Sequence, residues 1–299
     1  MNTNKIKKIL NRKTYFWFLS LLVITAVAFI SFAKIKQNIS LNYLEEQISH
    51  FKSNFSGNSS LIIYKPGFLK FEFAYNPNKK IAAASLIKLP LLAVSLKAVD
   101  QGYVGFGQKV QITSKDITGG SGIFKKIEMP FNLTFKELLS FMIIISDNTA
   151  TNKVIDILGI DYINKSLLDF GLKDTILKRK MMDFSGRNKG VENYTSSRDI
   201  IKILQKIYYK QLINQQFSQF ARNLLSRQQY NDRIAYFLPE EIEVAHKTGL
   251  ERGVVHDAGI IYGKKKDFII CVLTKDVRNY SKAKEFIANI SQLSYNLLN

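Results

Sequence analysis

Residues 243–274 read EVAHKTGLERGVVHDAGIIYGKKKDFIICVLT, and this stretch decides the fold. Three runs rich in β-branched and other apolar residues, Glu243 to Thr248, Val254 to Tyr262 and Phe268 to Thr274, are parted by short charged or glycine-bearing segments. That pattern predicts three strands. Two more are expected at the other end of the body. Leu61 to Tyr64 and Lys70 to Tyr75 flank a Lys65-Pro66-Gly67 turn and read as a hairpin. Two strands early, three late and helices between predict one mixed α/β (α+β) domain whose sheet is built from both chain ends. The helical middle would form a second lobe, with a ligand cleft between the lobes.

Helical spacing is read from Ser85 to about Gln101, from Thr134 through Ser140, over Asn148 to Leu158, Tyr162 to Phe170, Ser197 to Tyr209, Gln211 to Gln228, and Ser281 to Leu298. Thr134 followed by Glu137 is a capping-box signature. Thr118 to Gly122 reads as a loop on the cleft rim. Residues 177–195 have no clear period and are rich in Gly, Asn and charge, so a long surface loop is expected there. Residues 37–58 are polar and predict a linker plus an opening helix around Leu41 to Phe51.

The formal net charge of +19 raises a nucleic-acid or membrane-surface partner. The N-terminus accounts for much of it. Lys5, Lys7, Lys8, Arg12, Lys13, Lys34 and Lys36 fall in residues 1–36, which hold no acid. Between Lys13 and Lys34 lie uncharged, mostly apolar residues, Thr14 to Ala33, long enough as a helix to span a bilayer. Basic residues before the span predict an N-inside orientation, with Tyr15 and Trp17 at the inner interface. Residues 1–36 are therefore expected to be a single-pass anchor, with 37–299 outside the cytoplasm. Ser31-Phe32-Ala33 leaves open a cleaved signal and a secreted or periplasmic body. Either reading keeps the body from nucleic acid. One cysteine, Cys271, excludes a disulfide framework and a CxxC site, and three histidines are too few for most multi-His metal sites. No metal or cofactor is expected, and the protein is expected to act as a monomer. Cys271 itself reads as a buried small hydrophobe.

Three short motifs carry chemistry. In Ser85-Leu86-Ile87-Lys88, a helix would place Lys88 one turn from the Ser85 hydroxyl, where a desolvated amine can act on it. Alone, this pattern also fits an ordinary helix start. Ser146-Asp147-Asn148 follows the apolar run Phe141 to Ile145, so its polar groups are positioned: Ser146 for proton delivery, Asn148 for a substrate amide. An N-cap is the plainer reading. In Lys247-Thr248-Gly249, the amine and hydroxyl can bind a carboxylate while Gly249 admits close backbone approach. A strand running into a turn is the alternative.

In this order and spacing the three motifs resemble the signature set of class A β-lactamases and penicillin-binding proteins. Ala84 to Pro90, Leu133 to Leu139 leading into Ile145 to Asn152, and His246 to Gly249 followed by Val255 to Ile260 carry the likeness over roughly residues 40–299. The resemblance implies a five-stranded antiparallel sheet flanked by helices with an all-helical lobe. It implies an acyl-enzyme on Ser85, activated with Lys88. Ser146 and Lys247 would serve proton transfer and the substrate carboxylate, and backbone N–H groups of Ser85 and near Leu250 would form the oxyanion hole. The implied substrate is a β-lactam or a peptidoglycan-stem-like small molecule.

Two departures stand out. The family's deacylating Glu, with an Asn four residues on, has no counterpart in Leu177 to Arg187; Asp183 is the nearest carboxylate and Glu192 the second. The family's carboxylate-binding Arg downstream of Lys247-Thr248-Gly249 is also missing, leaving His256 or Arg252 to fill that space. A slowly deacylating penicillin-binding or DD-peptidase-like enzyme is therefore the alternative to a β-lactamase, and a non-catalytic wall-binding module is a further one. A Ser-His-Asp triad through His246 or His256 with Asp257 is weaker, since His256 and Asp257 are adjacent on a strand and face apart.

Overall fold

The computed structural model describes residues 3–67 and 70–298, with the side chains of 3–15 and 36 outside that description. The basic cluster Lys5, Lys7, Lys8, Arg12 and Lys13, together with Tyr15 and Lys36, thus lies outside the described side chains. The first helix, α1 (Thr3–Ser53), runs unbroken for 51 residues. The expected linker after residue 36 is helical instead, because no Gly or Pro occurs before Gly57 to stop the helix. Phe16–Ser53 is long and apolar enough to cross a membrane, and its most apolar window, of mean hydropathy 2.3, has no buried residue. The chain divides into two compact units, one reaching Gln47 and the other starting at Ile48.

In the second unit, β1 (Asn58–Lys65) and β2 (Phe71–Tyr75) form the expected hairpin, and β3 (Ile81–Ala82) leads into a 3₁₀ turn, Ala84–Ile87, and α2 (Lys88–Asp100). Then come β4 (Lys109–Ile112), β5 (Phe131–Thr134), α3 (Phe135–Ile144), α4 (Asn148–Leu158), α5 (Ile160–Asp169), α6 (Phe184–Asn188) and β6 (Tyr194–Thr195). The chain closes with α7 (Ser197–Tyr208), α8 (Gln215–Leu225), β7 (Glu243–Glu251), β8 (Val254–Tyr262), β9 (Phe268–Lys275) and α9 (Tyr280–Leu298). The main sheet is antiparallel in the order β2-β1-β9-β8-β7, so both chain ends build it. Ile62 pairs with Cys271 at its centre, where burial pushes the thiol well above its usual range.

α9 packs on β8 and β9, while α7 packs against β1, β8 and β9 and α2 joins α7 to the helical lobe. Thr134 caps α3 through the Glu137 N–H, and the Glu137 carboxylate accepts from the Thr134 N–H in return, the capping box read from the sequence.

Residues 177–195 depart from expectation. Leu177, Arg179, Asn193 and Thr195 are buried there. Ile81 pairs with Thr195 and Ala82 with Tyr194, while Ile176 bridges Tyr194. Polar side chains fill the turns from within: Asn193 Oδ1 accepts the Lys178 and Arg179 N–H groups, and its Nδ2 donates back to Arg179 O. A segment whose backbone is satisfied by its own side chains needs no period to be buried.

Candidate active site

Ser85 sits in the 3₁₀ turn at the start of α2, and the segment before it is fixed from three sides. Its β3 neighbours pair with β6, Ala83 N–H donates to Asn193 O at 2.8 Å, and His256 Nε2 donates to Ala82 O at 2.8 Å. Ala84 adopts φ +45, a left-handed conformation that costs on the order of 1–3 kcal/mol and persists only where the surroundings impose it. His256 takes up its second nitrogen as well, Nδ1 accepting from Thr274 N–H, and burial lowers its pKa to about 4. The substrate contact expected of His256 thus finds no free ring nitrogen; the residue is a neutral brace behind the Ser85 turn. Gly249 is similarly explained. It lies within β7, not at its end, and a Cβ there would stand 3.1 Å from His256 Cδ2 and 3.3 Å from Leu86 N. The close approach it permits is between the strand and the turn bearing Ser85.

Lys88 is fully buried. Its Nζ lies 2.7 Å from Ser146 O, 3.0 Å from Ser146 Oγ and 2.8 Å from Asn148 Oδ1. Lys247 is fully buried too, with Nζ 3.1 Å from the same Ser146 Oγ and 2.9 Å from Thr248 O. One hydroxyl therefore bridges two lysine amines. Desolvation, with help from Lys247, pulls Lys88 well below the ordinary lysine range. Desolvation takes Lys247 down to about 7, with Asp257 opposing and Arg233 assisting. Ser146 is held at φ +57 between α3 and α4, turning its Oγ and O toward the amines. Asp147 performs the capping role: it accepts from Ala150 N–H, and from Ile123 N–H of the rim loop, at 2.9 Å each. Asn148 spans Lys88 and the same loop, donating to Gly119 O at 2.9 Å.

Ser85 lines two connected spaces. One, of about 60 Å³, is walled by Ser121, Ser146, Tyr230, Arg233, Thr248 and Leu250. Arg233 escaped the sequence reading. Its side chain is 3% exposed, yet Nε and Nη1 have no hydrogen-bond partner, Nη1 standing 3.4 Å from Asp232 Oδ1 without hydrogen-bond geometry. The segment bearing it is pinned on both sides: Asn231 Oδ1 lies 3.1 Å from His246 Nε2, and Ile234 N–H donates to Asp257 Oδ2 at 3.1 Å. His246 Nδ1 lies 2.9 Å from Asp257 Oδ1, so that pair forms, but its outer nitrogen serves Asn231 and no triad reaches Ser85. A lone arginine ahead of a strand carries no motif. Only its buried placement, with two nitrogens lacking hydrogen bonds, marks it.

The other space is a cavity of about 830 Å³ lined by Ala84, Asn148, Met181, Met182, Phe184 and the Leu250–Gly253 edge among others. Where a water-activating carboxylate was sought, the chain presents Met181 and Met182. Asn152 clamps Met181 through both backbone groups, at 2.8 Å to N and 3.2 Å to O. Asn152, one turn after Asn148 on α4, was also overlooked; its i+4 spacing was the available signal. Asp183 caps α6 through Gly186 N–H at 2.9 Å and is not among the cavity-lining residues. Glu192 binds Arg179 through two 3.0 Å contacts, and Glu251 takes Arg179 at 2.9 Å and Arg187 at 3.0 Å. Both glutamates are thereby occupied.

A family model described as the beta-lactamase enzyme family matches residues 43–298. The beta-lactamase of Phocaeicola vulgatus is 28% identical over 189 residues, which span 56% of this chain and 57% of that protein. The beta-lactamase from Sphaerobacter thermophilus superposes with a TM-score of 0.78 at 27% identity, covering 86% of this chain and 98% of that one. PBP-A superposes with a TM-score of 0.78 at 26% identity, covering 86% and 96%.

Proposed function

The chain belongs to the beta-lactamase enzyme family of serine hydrolases, and from that premise we propose that it opens β-lactam rings through an acyl-enzyme on Ser85. The carrying observation is the Ser146 hydroxyl held 3.0 Å from Lys88 Nζ and 3.1 Å from Lys247 Nζ beside Ser85. Ser85 Oγ attacks the lactam carbonyl carbon as its proton passes to the Lys88 amine, which burial keeps available as a base. Backbone N–H groups of Ser85 and Leu250 receive the developing oxyanion, a contribution of about 3–4 kcal/mol. The C–N bond breaks, the nitrogen takes its proton from Ser146, and Ser146 recovers one from Lys88. Arg233, with Thr248 and Lys247, receives the carboxylate next to the lactam nitrogen. This assigns to Arg233 the role first sought at His256 or Arg252.

Release of the acyl group is slow in this proposal. Met181 and Met182 face the cleft where a base is needed, Asp183 is engaged in a helix cap, and Glu192 and Glu251 are held by arginines. This favours the penicillin-binding or DD-peptidase-like variant, acting on peptidoglycan-stem-like substrates. Incubation with a fluorescent penicillin, followed by intact mass, separates the two. A persistent adduct is expected; rapid turnover with a transient adduct returns the assignment to an efficient β-lactamase. We propose further that residues 1–36 anchor the chain in a membrane with 37–299 outside the cytoplasm as one catalytic domain, supported by the apolar stretch of α1.

A further inference from the structure

The cleft continues past the Leu250–Gly253 edge. The 830 Å³ cavity and a neighbouring trough of about 340 Å³ share Arg187, Arg252 and Gly253 in their linings, so the two adjoin along that edge. The walls change along this path. Met181, Met182, Phe184 and Leu250 surround the part next to Ser85; Arg187 and Arg252 stand at the junction; Lys80 and Lys275 line the trough beyond. Of the acids along the path, the two glutamates are held by arginines, while Asp276 keeps its charge against a neutral amide. Glu192 and Glu251 bind Arg179 and Arg187, and Asp276 accepts from Asn58 at 3.0 Å. Lys80 faces Asp174 at 3.6 Å. Arg252 and Lys275 are exposed and make no ion pair among the described residues.

If the small space holding Arg233 takes the carboxylate beside the scissile nitrogen, the acyl chain on the other side of Ser85 must leave through the larger cavity. That chain then meets an apolar stretch followed by unpaired cations. Resting on the proposed acyl-enzyme reading, we infer that the trough is an acyl-side subsite for an anion, so that the preferred acyl donor has an apolar stem ending in a carboxylate. Exposed cations grouped along one trough attract such a group and add modest contact energy when it docks. The acyl donor thus carries two carboxylates, one at each end of the cleft.

The test uses the full chain and two penicillins identical except that the acyl side chain ends in a free carboxylate in one and its methyl ester in the other. Both keep the ring carboxylate for Arg233, so the ratio of their acylation rates isolates the acyl side. The free carboxylate is expected to acylate about fivefold faster at low salt, the scale of a pair of exposed ionic contacts. The ratio should fall toward one in about 1 M salt, where the screening length is about 3 Å. It should also fall toward one in the Arg252→Ala/Lys275→Ala variant. Equal rates in the wild type, or a ratio that survives the double substitution, overturn the subsite. If neither penicillin labels Ser85, the proposed function has failed, and equilibrium binding to Ser85→Ala still decides the trough. There, a fivefold tighter carboxylate sustains it and equal affinities reject it.

Discussion

Replacing Arg233 by Ala separates stability from catalysis, because the two respond in opposite directions. In the free protein its side chain is 3% exposed, with Nε and Nη1 lacking hydrogen bonds and a 3.4 Å ion pair to the exposed Asp232 as partial compensation, a placement that costs stability rather than supplying it. Arg233→Ala should therefore leave the denaturation midpoint unchanged or raise it, against the usual direction for a buried residue. In the complex the same group meets the substrate carboxylate in a small space of about 60 Å³. Removing one partner of such a pair costs about 2–5 kcal/mol, so a loss near 3 kcal/mol predicts acylation slowed about 150-fold. The assay is the second-order rate of adduct formation with a penicillin and with its ring-carboxylate methyl ester. The acid should lose about 150-fold and the ester less than about threefold, since the variant lacks a contact the ester never makes. Arg233 also depresses Lys247, so the lysine's titration should move upward from about 7 in the variant. An equal loss on acid and ester, or a lowered midpoint, would refute a carboxylate-binding role and make Arg233 a structural residue.

Other consequences follow from the same geometry. Lys247 titrates near 7 in the fold against 10.5 when unperturbed, so between those values the folded chain binds fewer protons than the unfolded one. Stability should then rise with pH from about 7 to about 10.5, by on the order of a few kcal/mol, the burial penalty being complete below about 7. Lys88 acts in the same direction. Denaturant midpoints across that range should show the slope, and Lys247→Met should reduce it; an unchanged slope counts against a buried titrating amine. Met181→Glu places a carboxylate on backbone already clamped by Asn152 and should shorten the acyl-enzyme lifetime about 100-fold, read by the decay of the adduct mass. An unaltered lifetime means that the missing base is not what limits release. Trp17 is the sole tryptophan, so a body beginning at residue 38 should show no tryptophan emission, while lipid vesicles should blue-shift that of the full chain. Emission indifferent to lipid contradicts the anchor.

What the sequence revealed and what it hid divide along a physical line. The strands β7 to β9 were legible because their apolar, β-branched runs exceed what a loop would carry. Ser85 with Lys88, Ser146 and Lys247 were legible because each motif is local, even though the bridge at the Ser146 hydroxyl joins residues 101 positions apart. The linker after residue 36 was misread, since polar composition suggests a loop while helix breakers are what end a helix. Residues 177–195 read as surface from their composition, yet their polar groups pair with one another inside the segment, as Arg179 does with Glu192, and no periodicity marks such pairing. His246 with Asp257 was an open alternative whose true partner, Asn231, no spacing indicated. Arg233 was invisible because its meaning rests on the hydrogen bonds it lacks.

The central claim is a covalent bond to one hydroxyl whose activation depends on a neighbouring buried amine. Peptide mapping of the penicillin-treated full chain measures it directly. The account predicts an added mass equal to the whole penicillin on the peptide containing Ser85. That adduct should be absent in Ser85→Ala and should form far more slowly in Lys88→Ala. An adduct elsewhere, or labelling of Ser85→Ala at the wild-type rate, would contradict it.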